Sequence, residues 1–102
     1  MDVELARQQW GDGYRRLEEL RGDRGRYERL LGQVDVVTAE LRRRVGQTFS
    51  LDELAAVYDG ADAWARDAVE DADDEPGAVH EVSTVGDAAF HLYARGATDY
   101  AP

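Results

Sequence analysis

The chain has two imidazoles, His80 and His91, and each has a carboxylate near it. Glu81 follows His80, and Asp87 precedes His91 by four residues, a spacing that places both side chains on one face of a helix. Such a pair supplies two metal ligands or an acid and a base. Two ligands do not define a metal site, so no metal is predicted. The acidic run Asp71, Asp73, Asp74 and Glu75 offers oxygens of the kind calcium takes. It fails as a calcium loop, because Pro76 stands where the loop requires glycine and Val82 where it requires a bidentate glutamate.

Other catalytic chemistry has little to stand on. Cysteine is absent, which excludes disulfides, thiolate nucleophiles and Cys-ligated zinc or iron–sulfur centres. The two serines, Ser50 and Ser83, are placed to cap helices, and the chain holds no G-x-S-x-G elbow, H-E-x-x-H pair or glycine-rich phosphate loop. No cofactor and no catalytic residue is predicted. Arg21-Gly22-Asp23 spells an adhesion tripeptide but reads as a turn.

All 12 basic residues are Arg, and Lys, Asn and Ile are missing, as a GC-rich coding sequence produces. A bacterial source is therefore expected, and the abundance of Arg says little about phosphate recognition. Arg42, Arg43 and Arg44, with Arg15, Arg16, Arg26 and Arg29, form the candidate basic patch. A solvated helix face with pairs such as Glu40 and Arg44 is the favoured explanation of them. Charge is unevenly placed in the total of −10: residues 1–50 hold ten Arg and nine acids, residues 51–102 two Arg and thirteen acids. The second half repels a polyanion and attracts a basic protein surface.

Helices must position these groups. The clearest start signal is Phe49-Ser50-Leu51-Asp52-Glu53-Leu54: Ser50 as N-cap, Glu53 as its capping-box partner, Phe49 and Leu54 as a hydrophobic staple. From there apolar residues recur at three and four through Trp64 to Ala72, which predicts a long third helix over 51–72. Upstream, Ala6, Trp10, Gly13, Leu17 and Leu20 line a first helix over about 3–21 with Asp2 as cap. Gly11 and Gly13 weaken it while offering room for a neighbouring helix near Trp10. Tyr27, Leu31, Val34, Thr38, Leu41 and Val45 line a second helix over about 26–45 that ends at Gly46. The glycines at 22 and 25 favour a hairpin between the two. The stripe nevertheless stays in phase across the gap, so one long self-pairing helix is the alternative. Ser83 or Thr84 caps a short C-terminal helix over 84–95, closed by a left-handed Gly96.

Leu51 to Ala56, followed by Asp59-Gly60-Ala61, resembles the first helix and turn of a helix-turn-helix. Its would-be recognition helix carries Asp62, Asp67 and Glu70 against Arg66 alone, the wrong charge for a groove lined with phosphates.

At 102 residues the chain makes one domain, residues 1–102, which buries roughly 60–68 % of the surface its unfolded form exposes. An acidic linker over 73–82 and a flexible tail over 97–102 complete it. The expected fold is all-α, a small helical bundle in which the hairpin is crossed by the third helix and the last helix covers an edge. No apolar run approaches the roughly 20 residues of a membrane span, and the start Met1-Asp2-Val3-Glu4 lacks a signal peptide, so a cytoplasmic location is expected. The expected function is a small acidic, non-enzymatic protein-interaction module, a regulatory or adaptor subunit. Trp10, Tyr14, Tyr27, Tyr58 and Trp64 are its candidate interface residues. The partner is a protein, with a homodimer as the nearest case; nucleic acid and membrane are disfavoured. The alternatives are a degenerate helix-turn-helix transcriptional regulator and a small enzyme without a recognisable motif.

Overall fold

The computed structural model describes residues 2–72 and 82–100. These form five α-helices and one 3₁₀ turn, with no strand among them. The all-α helical bundle expected from the apolar periodicity is the fold observed.

Helix α1 runs Val3–Glu18 and buries Ala6, Trp10, Gly13 and Leu17, the stripe legible in the sequence. Asp2 takes the cap position through its carbonyl, which accepts the Ala6 amide at 2.9 Å; its side chain makes no cap bond. A 3₁₀ turn, Glu19–Gly22, then ends the helix, and Asp23 leaves helical geometry (φ −105°, ψ 85°). The Asp23 carboxylate accepts the Arg26 amide at 3.3 Å and so starts α2, Arg24–Val45, two residues earlier than expected. One helix over residues 3–45 would measure about 65 Å, whereas the longest dimension of the molecule is 38 Å. The chain therefore turns back, and the long self-pairing helix is set aside. At the far end of α2, Gly46 adopts φ 87°, which L side chains rarely accept, and its amide bonds to the Arg42 carbonyl.

The expected third helix over 51–72 is two helices. Helix α3, Leu51–Tyr58, starts where Ser50 accepts the Glu53 amide at 3.2 Å. It stops at Asp59-Gly60, where the Gly60 amide reaches back only three residues, to the Val57 carbonyl at 3.2 Å. That tighter turn breaks the i to i−4 ladder at the residue least costly to unwind. Helix α4, Ala61–Ala72, follows and buries Ala61, Ala65 and Val69.

Helix α5, Val82–Ala94, begins before Ser83 and Thr84, so neither is its cap; Thr84 lies buried in the first turn. Gly96 closes the end through its amide to the Tyr93 carbonyl at 3.0 Å. Gly46, not Gly96, is the residue with positive φ among those described.

The largest departure concerns the place of this last helix. Every residue from Thr84 to Phe90 is buried, which marks a central helix, not one at an edge. It packs chiefly on α1, next on α2, and then on α4 and α3, while α1 and α2 touch each other little. The hairpin is thus wedged open by α5. The physical reason is size: Ala88 and Ala89 keep α5 narrow, and Gly13 opens α1 to it, since a Cβ at Gly13 would fall 2.2 Å from the Asp87 Cβ.

Residues 97–100, expected to be a free tail, are tied down. The Thr98 amide donates to the Phe49 carbonyl at 2.9 Å, and the Asp99 carboxylate accepts the Leu51 amide at 2.8 Å. Residues 73–81 of the expected acidic linker, and 101–102, lie outside the described residues. Among the described residues no helix is long and apolar enough to cross a membrane.

Candidate functional site

The contact of α1 with α5 encloses a polar cluster that no sequence signal announced. Asp87, 8 % exposed, is its centre. Tyr58, brought in by α3, donates its hydroxyl to Asp87 Oδ1 at 2.5 Å, a short bond of the kind a carboxylate acceptor gives. Arg16, from α1, places Nη2 at 3.5 Å from Asp87 Oδ2 and donates Nε to the Thr84 hydroxyl at 3.2 Å. The Gln9 side-chain amide lies 3.1 Å from the Tyr58 hydroxyl. A buried carboxylate is costly unless it is paired and hydrogen-bonded; here three helices meet to satisfy it. Neither cleft considered below is lined by Tyr58 or Asp87, so the cluster acts as a polar lock on helix packing.

Around this lock lie the aromatic residues singled out as interface candidates. Trp10, Tyr58 and Trp64 surround Phe90, with ring centroids 5.5, 5.0 and 6.2 Å from it. Trp10 is 1 % exposed and offers no surface to a partner. Tyr58 and Trp64 are half-buried on the same core, and Arg44 covers Trp64 at 4.8 Å from its ring centre. Tyr14 and Tyr27 pack against the core from half-buried positions. Hydrogen bonding to Glu18, followed by burial, pushes the Tyr14 hydroxyl above its ordinary value of 10.0.

His91 and Asp87 share α5 but serve different neighbours. While Asp87 bonds Tyr58 and Arg16, the His91 ring stacks on Tyr14 at 4.7 Å. Burial first, and then the nearby Arg95 charge, hold the His91 imidazole below its ordinary 6.5. No cluster of three or more metal-capable side chains occurs among the described residues. His80 lies outside them.

Arg42, Arg43 and Arg44 are all exposed, but they do not act as one patch. Glu40 takes Arg43 at 3.2 Å and Arg44 at 2.9 Å. Arg42 turns to a second cleft, of about 400 Å³, with Thr38, Gln47, Phe49 and Tyr93. Elsewhere in the first half, Asp12 pairs with Arg15, Glu18 with Arg21 and Glu28 with Arg24. Helices α3 and α4 and the turn between them differ: Asp52, Glu53, Asp59 and Asp67 are exposed there beside one exposed cation among the described residues, Arg66. Of these acids Asp52, Glu53 and Asp67 have no ion-pair partner among the described residues.

A helical bundle with an internally neutralised basic half and an unneutralised acidic face is the class that fold and surface define. Compared with family models, curated proteins and solved structures, the chain finds no match to any of them.

Proposed function

We propose that this protein is a small acidic, non-enzymatic interaction module, a regulatory or adaptor subunit of the cytoplasm, that docks a basic protein surface on the outer face of α3 and α4. One observation carries the reading: among the described residues Asp52, Glu53 and Asp67 are exposed there without ion-pair partners, whereas the arginines of α1 and α2 are largely engaged by neighbouring carboxylates. Charge left uncompensated on one face steers association with an oppositely charged partner. The partner is a different chain in preference to a second copy, because α5 fills the stripe that would have joined two copies.

The test compares wild type with the triple reversal Asp52→Lys, Glu53→Lys, Asp67→Lys as bait in native cell extract at low salt. A basic protein retained by wild type and lost from the triple variant supports the reading. An identical set of captured proteins ends it.

The second reading is a degenerate helix-turn-helix regulator. Its support is the break at Asp59-Gly60, which divides the stretch into an 8-residue and a 12-residue helix, lengths that suit such a motif. Asp67 and a lone Arg66 on the exposed side of α4 weigh against it. A labelled duplex left unshifted by the protein at low salt removes it.

A further inference from the structure

The cleft of about 290 Å³ between the start of α1 and the end of α5, bordered by Glu4, Arg7, Trp10 and His91, offers no free guanidinium, since Arg7 is already engaged. The cleft of about 400 Å³ between α2 and the end of α5 is different. Its size falls within the range of small-molecule sites. Asp35, Thr38 and Arg42 border it at spacings of three and four, which sets them on one ridge of α2. Side chains sheathe the backbone of a helix, so these three meet the cleft through their side chains.

Asp35 and Arg42 are exposed, and the side chain of neither has a hydrogen-bond or ion-pair partner among the described residues. Their neighbours on α2 differ, for Arg43 and Arg44 share Glu40, and Arg24 takes Glu28. Two helical turns hold the Asp35 and Arg42 Cα atoms about 10 Å apart, and the long Arg42 stem, leaning back toward the start of the helix, narrows the gap. Opposite charges that border one space without meeting leave room for a molecule that carries both. Between them, the Thr38 hydroxyl donates to the Val34 carbonyl at 2.8 Å and so keeps only acceptor capacity for a ligand. The facing wall is apolar: Phe49, 4 % exposed, stacks on Tyr93 at 4.7 Å with the rings 13° from parallel, and Leu92 lies beside them. The Tyr93 hydroxyl donates to the Gly46 carbonyl, which leaves its ring as the contact surface.

We propose that this cleft binds a free amino acid with an aromatic or branched apolar side chain, its carboxylate on the Arg42 guanidinium, its ammonium on the Asp35 carboxylate, and its side chain against Leu92, Phe49 and Tyr93. Arg matches a carboxylate with two parallel N–H donors, and an ammonium gives Asp a charge-assisted bond. A zwitterion brings no net charge, so the total of −10 does not oppose it. The site belongs to α2 and the end of α5, whereas the docking face belongs to α3 and α4, so either reading can fail without the other.

The test titrates the ¹⁵N-labelled full chain with L-phenylalanine at pH 7.5 and follows the backbone amides of Gln47 and Gly96, which border the cleft. Both resonances move and saturate in the millimolar range or below. Two analogues each lack one charge: 2-phenylethylamine has no carboxylate, and 3-phenylpropanoate no ammonium. Arg42→Gln weakens phenylalanine about tenfold without weakening 2-phenylethylamine, and Asp35→Asn weakens it by a similar factor without weakening 3-phenylpropanoate. Both positions are exposed, so helical circular dichroism stays that of wild type. The proposal is overturned if the two amides are unmoved at about 20 mM phenylalanine, if they drift without saturating, if either substitution leaves phenylalanine binding unchanged, or if Arg42→Gln weakens 2-phenylethylamine as much as phenylalanine.

Discussion

A single missing methyl group fixes how closely α1 approaches α5. Because a Cβ at Gly13 would lie 2.2 Å from the Asp87 Cβ, Gly13→Ala must push the helices apart or tilt them. Overpacking of this kind costs about 1–3 kcal/mol, more than the roughly 1 kcal/mol of helix propensity that alanine returns. Gly32, exposed in the middle of α2 with nothing within 4 Å of its would-be Cβ, is the control. There alanine stabilises by about 0.5–1 kcal/mol, so urea denaturation gives the two substitutions opposite signs. Tyr58→Phe withdraws the hydroxyl from Asp87 and costs about 1–3 kcal/mol, the cost of a buried acceptor losing one of its partners. His91 makes the pH dependence. Its folded pKa is lowered, so the unfolded chain binds the proton more readily, and stability falls as pH drops below about 6.5. Tyr14 stacks on the ring, Arg95 is the charge acting on it, and Glu4 and Arg7 line the adjoining cleft. The melting-temperature difference between wild type and His91→Gln should therefore shrink from pH 8 to pH 5; a constant difference refutes the assignment.

At the scale of elements, the start of α3 depends on residues nearly fifty positions away. The Leu51 amide belongs to the first helical turn and has no partner within the helix; Asp99 supplies one at 2.8 Å. Asp99→Ala is expected to cost about 1 kcal/mol, as loss of a helix cap does, and to speed hydrogen exchange at Leu51, while Asp99→Asn keeps a side-chain oxygen and most of the stability. Unchanged exchange in Asp99→Ala would show that water serves Leu51 equally well. The same contrast explains which features were legible in the sequence. Ser50, Gly46 and the stripe Ala6, Trp10, Gly13 and Leu17 act through neighbours three or four residues off, so spacing alone exposes them. Asp59-Gly60 has the residues of a turn, but the apolar pattern runs through it in phase and hides the break. The central place of α5 comes from which narrow helix fits the gap between two others, a matter of side-chain volume across the whole fold. Tyr58 and Asp87, 29 residues apart, and Trp10 at the cleft, have no local pattern to mark them.

For the whole molecule, the Cα radius of gyration of 13.1 Å equals the roughly 13 Å expected of a compact chain of this length, and Leu5 is the one exposed large hydrophobic residue among those described. Copies of the chain thus have little apolar surface to bury together, while each carries a net charge of −10. Salt separates the two effects. Screening shortens the reach of charge to about 8 Å at physiological ionic strength and about 3 Å at 1 M, so added salt removes repulsion between copies and attraction to a basic partner alike. If repulsion alone kept copies apart, a dimer would appear in light scattering as salt rises. If no self-complementary face exists, the mass stays that of one chain at about 100 µM protein from low salt to about 1 M. The expected outcome is the second. Binding of a basic partner to α3 and α4 should weaken over the same series, chiefly through a slower association rate, because rim charges act on encounter more than on residence. A dimer that strengthens with salt would instead show that charge repulsion had masked a self-complementary face, and would return the second copy to first place among partners.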